Sequence, residues 1–63
     1  MAWVWLRNSK GEEIYINMSM IESMREEGGY TLLFTPENDG CYKVKEKMEE
    51  VIARTKLWLE ESK

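Results

Sequence analysis

The residues of this chain that could take part in covalent chemistry are few. Cys41 is the one cysteine among 63 residues, and there is no histidine. A cysteine nucleophile needs a nearby base or positive field to form its thiolate, and only Lys43 and Lys45 lie close to it in sequence. We therefore expect Cys41 to be a small, half-buried residue at the start of a strand, with no catalytic role.

Adjacent acidic residues recur along the chain and raise the question of a divalent cation site. Neighbouring residues of a strand point to opposite faces, and the alternating acids of a calcium-binding loop are absent. The common Cys/His zinc ligand sets are absent as well. The sequence therefore predicts a solvated acidic surface with no metal, no cofactor and no catalytic residue. The acidic pairs are Glu12–Glu13, Glu26–Glu27, Glu49–Glu50 and Glu60–Glu61.

Trp3, Trp5 and Arg7 form a cluster near the start of the chain. Aromatic residues on a sheet can stack on nucleic-acid bases, but the net charge of −3 opposes a general phosphate-binding surface. Core packing and burial in a subunit contact are the two remaining interpretations, since exposed apolar patches usually mark interfaces and tryptophan is favoured there. The residues predicted for such a contact are Trp3, Trp5, Leu33 and Trp58.

Two further motifs have structural explanations. Gly28–Gly29 precedes a predicted strand rather than a helix, so it indicates a hairpin turn and not a phosphate-binding loop. Asp39–Gly40 is expected to supply the positive φ of a second turn.

The methionines Met18, Met20 and Met24 could form an adaptable binding surface or fill gaps in a small core, and gap filling is the simpler interpretation.

The elements that must position these residues are short strands followed by one helix. Alternation in "AWVWLR" places Trp3 and Trp5 on one face and Val4 and Leu6 on the other, and "EEIYIN" is predicted to return as the second strand of a hairpin. A turn over 17–20 precedes a third strand. The sequence therefore predicts an α+β fold in which an antiparallel meander of about five strands covers residues 2–44.

The last part of the chain has the apolar spacing of an amphipathic helix, predicted over residues 45–61. Glu50 and Arg54 stand at i and i+4 on its charged face. The helix is expected to cover one face of the sheet and to leave apolar side chains on the other face uncovered. Its apolar stripe consists of Met48, Val51, Ile52, Thr55, Trp58 and Leu59.

The length of 63 residues indicates a single domain that buries only about 60% of its surface on folding. Small domains commonly add disulfides, a metal or self-association to a limited core. One cysteine cannot form an internal disulfide and no metal site is predicted. We therefore expect a homo-oligomer that forms through the uncovered face of the sheet, with a second protein as another possible partner.

Two stretches, "GEEIYINMSMIESM" and "KVKEKMEEVIART", with "YTLLFTPENDGCY" between them, resemble the small flagellar FlbD family, also called swarming motility proteins. The chain departs from that family in "RNSK" before Gly11, in a longer "TPENDG" turn, in its tryptophan-rich start and in "KLWLEE". The resemblance implies a cytoplasmic accessory protein of flagellar motility that acts through protein contacts. It brings no catalytic residues with it.

The sequence thus predicts a non-enzymatic interaction or assembly module, in the form of a FlbD-like motility accessory protein. The alternative is a nucleic-acid-associated or mobile-element-encoded regulatory protein that binds through the aromatic sheet face. No stretch approaches the ~18 continuous apolar residues of a membrane-spanning helix, and no signal-peptide pattern is present. A lone thiol fits a reducing compartment, so a cytoplasmic location is expected.

Overall fold

The computed structural model describes residues 3–37 and 40–61, with the side chains of residues 57–61 outside the description. It has the predicted α+β class, with five antiparallel strands and one C-terminal helix. The strands are β1 (Trp3–Arg7), β2 (Glu13–Asn17), β3 (Ser23–Glu27), β4 (Tyr30–Phe34) and β5 (Cys41–Val44), with a 3-10 helix at Met18–Met20 and the helix α1 at Met48–Glu61.

The five strands form two sheets rather than the single meander that the sequence suggested. One sheet has the order β1-β2 and the other the order β3-β4-β5. The break falls at the 3-10 helix, where the Asn17 side chain accepts a 3.1 Å hydrogen bond from the Ser19 amide and turns the chain away from β2. An isolated bridge between Asn8 and Val44 joins the two sheets, and the Lys45 amide donates to the Arg7 carbonyl beside it.

The hairpin β1-β2 follows from its alternating sequence. Val4 and Leu6 face inward at 4% and 0% exposure, opposite Ile16 and Ile14. The Asn8 side-chain oxygen closes the turn by accepting from the Lys10 and Glu12 amides. Gly11 has φ 85°, a value that favours glycine.

The core lies between the two sheets and the first half of α1. Its buried apolar residues are Val4, Leu6, Ile16, Leu33, Val44 and Val51. Of the predicted helical stripe, Val51 is buried, Met48 and Thr55 are half-buried and Ile52 is 38% exposed. The side chains of Trp58 and Leu59 lie outside the described residues. Among the helix side chains that the structure describes, Val51 is thus the main anchor on the core.

The helix begins at Met48, later than the predicted residue 45. Instead, the Lys45 amide donates to the Arg7 carbonyl and the Glu46 carboxylate accepts from the Arg7 amide. These bonds to β1 keep both residues out of the helix. The Thr31 hydroxyl, fully buried on β4, also donates a 2.7 Å bond to the Glu46 carbonyl. At the helix start the Glu26 carboxylate accepts from the Met48 amide at 3.3 Å, a favourable position for negative charge.

The two glycine turns differ in what they require. Gly28 and Gly29 both have positive φ, as predicted for the hairpin between β3 and β4. The positive φ predicted at Asp39–Gly40 involves Asp39, which lies outside the described residues. Close approach requires a glycine at position 40, because a Cβ atom there would lie 2.7 Å from the Cβ of Thr35.

Candidate functional site

The outer surface of the β1-β2 hairpin carries three exposed aromatic side chains, which we call the aromatic face: Trp3, Trp5 and Tyr15. Their exposed fractions are 48%, 38% and 69%. Trp5 and Tyr15 are direct cross-strand partners, so their side chains share one face of the sheet. The predicted alternation of β1 is therefore confirmed, and it leaves the tryptophans outside the core.

Arg54 on α1 fixes one side of the aromatic face. Its guanidinium carbon lies 4.6 Å from the centroid of the Trp5 ring, and its Nη1 donates a 2.7 Å hydrogen bond to the Trp5 carbonyl. Nη2 binds the Glu50 carboxylate at 3.0 Å, which confirms the predicted i,i+4 pair. A planar guanidinium can make all of these contacts at once, whereas an ammonium group cannot.

Glu46 connects the same network to the edge of β1. Its side chain is only 7% exposed, and its Oε1 accepts a 2.9 Å hydrogen bond from the Arg7 amide. Its Oε2 lies 3.7 Å from Arg54 Nη1. The edge of β1 is thus satisfied by the Glu46 and Arg54 side chains and by the Lys45 amide, which protects it from pairing with other chains.

The charges around Trp5 are balanced. Arg7 lies 5.8 Å from the Trp5 ring centroid and stands opposite Glu13 across the hairpin. Arg54 is paired with Glu46 and Glu50. Binding of a nucleic-acid backbone depends on clustered cations that can replace its counterions, so this surface does not favour the nucleic-acid alternative.

A groove runs from the aromatic face to the turn between β4 and β5. It has a volume of about 470 Å³ and mixes aromatic, apolar and polar residues with one acidic residue, Glu37, among those that the structure describes. We call it the aromatic groove; it is lined by Trp3, Tyr15, Ile16, Asn17, Met20, Ile21, Thr35, Pro36, Glu37, Gly40 and Tyr42.

The family comparison supplies a biological setting for these surfaces. The family model described as flagellar and swarming motility proteins, FlbD, matches residues 4–61, which is most of the chain. The chain belongs to the FlbD family. Searches of curated proteins and of solved structures return no match.

The residues predicted for a subunit contact divide into three groups in this FlbD-family structure. Trp3 and Trp5 lie on the aromatic face. Leu33 has no exposed surface and belongs to the core, because it faces inward on the central strand β4. It is therefore unable to line a surface of the folded chain. The side chain of Trp58 lies outside the described residues.

The other candidate groups stay separate from one another. Cys41 begins β5 as predicted, but it is exposed rather than half-buried, because β5 lies at the edge of its sheet. Within residues 3–37 and 40–56, no three Cys, Asp or Glu side chains are arranged to hold a metal ion. Met18 and Met24 pack against the core, whereas Met20 is 58% exposed in the aromatic groove. The described part of this FlbD-family chain contains no helix with the length and apolar character needed to span a membrane.

Sequence reasoning missed several residues of the site. The sequence patterns assign no site role to Tyr15, Tyr42 or Glu46. The alternation of "EIYIN" with that of "WVWLR" carries the signal for Tyr15, because it places Tyr15 on the tryptophan side of the hairpin. No local signal marks Tyr42 or Glu46, whose surroundings come from distant parts of the chain.

Proposed function

We propose that this FlbD-family protein is a non-enzymatic protein-contact module of flagellar or swarming motility, and that it acts in the cytoplasm. The observation that carries the proposal is the exposure of Trp3, Trp5 and Tyr15 on one face of the β1-β2 hairpin. Large aromatic residues that are exposed together on a small domain are typical of protein interfaces.

The aromatic face is also rigid, which suits a contact surface. Trp5 is fixed by the stacked guanidinium of Arg54 and by the hydrogen bond to its carbonyl. The inner side of the same hairpin is held by Val4 and Leu6 in the core. A preorganised surface loses little conformational entropy when a partner binds.

We infer that the simplest partner is a second copy of the chain, with the aromatic faces in contact. A domain of 63 residues has a small core, and burial of Trp3 and Tyr15 between copies would add apolar area to it. Other proteins of the motility apparatus are the second class of partner, and they would use the same face.

Sedimentation of the purified protein tests the self-association. Tyr15→Ser and Trp3→Ser should each lower the average mass, because they remove apolar area from the contact while the core side of the hairpin is unchanged. Ile52→Ser is the matched control, since Ile52 is an exposed apolar residue on α1. A wild-type protein that is monomeric at every concentration would contradict self-association.

A motility assay tests the wider proposal. A strain whose own copy of the gene carries Tyr15→Ser should swarm less than a strain with Ile52→Ser, provided that both variants reach wild-type protein levels. Equal swarming of the two strains would exclude the aromatic face from motility. Binding of the purified protein to single-stranded DNA at low salt, and its loss in Trp3→Ser, would support the nucleic-acid alternative instead.

A further inference from the structure

We propose that the aromatic groove binds an extended, proline-rich segment of a partner protein that carries a basic residue. This inference rests on the proposed contact function and specifies the chemistry of one partner. The groove continues from Trp3 and Tyr15 on the aromatic face to Pro36 and Tyr42 on the other side of β2.

The shape and lining of the groove favour a ligand with flat apolar rings. Trp3, Tyr15 and Tyr42 are each at least 45% exposed, and Pro36 is also exposed. A polyproline II segment is a stiff, preformed helix that docks into aromatic-lined grooves without a large loss of conformational entropy. The apolar Met20, 58% exposed at the same groove, adds an adaptable contact.

The hydrogen-bonding groups of the groove point to the same class of ligand. Within residues 3–37 and 40–56, the Trp3 indole N–H and the Tyr42 hydroxyl have no hydrogen-bond partner. The Asn17 side-chain oxygen is occupied by Ser19, which leaves its NH₂ group as a donor. A proline-rich backbone offers carbonyl acceptors and lacks N–H donors, so it matches a groove that is rich in donors.

The charged residues in and near the groove favour one orientation of the bound segment. Glu37 is the one charged residue among the described residues that line the aromatic groove. A neighbouring cleft of about 590 Å³ shares Tyr15, Ile16 and Tyr42 with it and is also lined by Lys43, which is not part of the aromatic groove lining. A basic side chain of the ligand would therefore be attracted to the Glu37 end and repelled from the Lys43 end.

The test is a titration of the isotope-labelled full chain with an arginine-capped oligoproline peptide, followed by amide and indole chemical shifts. The protein concentration is one at which sedimentation shows a single species. We expect shifts at Trp3, Asn17, Glu37 and Tyr42. Replacement of arginine by glutamate in the peptide should weaken binding about tenfold, equivalent to ~1.4 kcal/mol. A glycine-serine peptide with the same arginine should not bind.

Conservative variants keep the test independent of folding. Trp3→Phe retains a ring but loses the indole donor, and Tyr42→Phe loses only the hydroxyl. Each should weaken binding by roughly three- to tenfold, whereas Tyr30→Phe, which lies outside the groove lining, should not. Glu37→Lys should abolish the preference for the arginine-capped peptide.

Three results would overturn the inference: no shifts with the oligoproline peptide, equal binding of the glycine-serine peptide, or no effect of the Trp3 and Tyr42 variants. Shifts at the same residues with a thymidine oligonucleotide, and not with the peptide, would also overturn it. Failure here leaves the proposed contact function standing if Ile52→Ser and Tyr15→Ser still differ in mass or swarming, because that comparison does not use Tyr42 or Glu37.

Discussion

The Arg54 guanidinium stacks on the Trp5 ring at 4.6 Å and donates a 2.7 Å hydrogen bond to the carbonyl of the same residue. One side chain of α1 therefore holds both the backbone and the ring of a β1 residue that is 49 positions away in sequence. The same guanidinium faces the buried Glu46 carboxylate. The position of the helix and the presentation of the aromatic face are consequently linked through Arg54.

Replacement of Arg54 by alanine should lower the free energy of unfolding by about 1–3 kcal/mol, because Glu46 would be left as a poorly compensated buried charge. Urea denaturation measures the change. Arg25→Ala is the matched control, since Arg25 also pairs with an acid, Glu27, and stacks on a ring, that of Phe34. Its ion pair is more than 60% exposed on both sides, so its loss should cost less than about 1 kcal/mol. Equal losses would contradict a special role for Arg54.

Removal of the Thr31 hydroxyl should destabilise the fold even though the side chain keeps its shape. Thr31→Val leaves the Glu46 carbonyl without its 2.7 Å hydrogen bond inside the core, and we expect a loss of roughly 1–2 kcal/mol. Thr55→Val is the control, because among the described residues the Thr55 hydroxyl bonds only to the Val51 carbonyl within α1. That variant should change the free energy of unfolding by less than about 0.5 kcal/mol. Thermal unfolding of both variants decides the matter.

A side chain at Gly40 should not be accommodated. The Cβ of an alanine there would overlap Thr35 Oγ1 and lie 2.7 Å from Thr35 Cβ, so the strand end must move. We expect Gly40→Ala to cost about 1–3 kcal/mol. Gly28→Ala separates crowding from backbone strain, because Gly28 has φ 59° and open space around it, and it should cost about 1 kcal/mol. Adding Thr35→Ala to Gly40→Ala should recover only part of the loss, since the Cβ–Cβ approach persists.

Truncation of Leu33 tests whether this residue belongs to the core or to the contact surface. Leu33→Ala should remove about 2–5 kcal/mol of stability, because the side chain is completely buried on the central strand β4. In urea titrations this variant should unfold at the lowest concentration of the set. Tyr15→Ser, with 69% of Tyr15 exposed, should unfold close to the wild type. If the Leu33→Ala protein were stable and had a lower mass in sedimentation, Leu33 would belong to the contact surface instead.

Much of the local structure could be predicted from the sequence. Alternation in residues 3–7 predicted the hairpin and its two faces, and the side-chain chemistry of Asn17 and Ser19 predicted the turn after β2. Local patterns could not predict the division into two sheets. It depends on the Asn8–Val44 bridge, which joins distant residues. Leu33 illustrates the same limit, because an apolar strand residue gives no indication of which face the other elements cover.

The arrangement of the candidate site was less predictable than its composition. The tryptophans were visible as a cluster, but the partners that fix Trp5 come from α1. Glu46 is buried because two hydrogen bonds hold the segment after β5 against β1: the Arg7 amide donates to the Glu46 carboxylate, and the Lys45 amide donates to the Arg7 carbonyl. Helical periodicity identified the Glu50–Arg54 pair but contained no information about which strand edge the arginine would reach.

The side-chain protection of the β1 edge has a consequence for biosynthesis. Lys45, Glu46 and Arg54, which satisfy that edge, are translated well after Trp3–Arg7. During translation, the β1 edge therefore stays unpaired and two tryptophans stay exposed until those later residues have been made. β1 is translated before the other described strands but is thus among the last to be completed, and stalled translation before Arg54 would yield a fragment prone to aggregation.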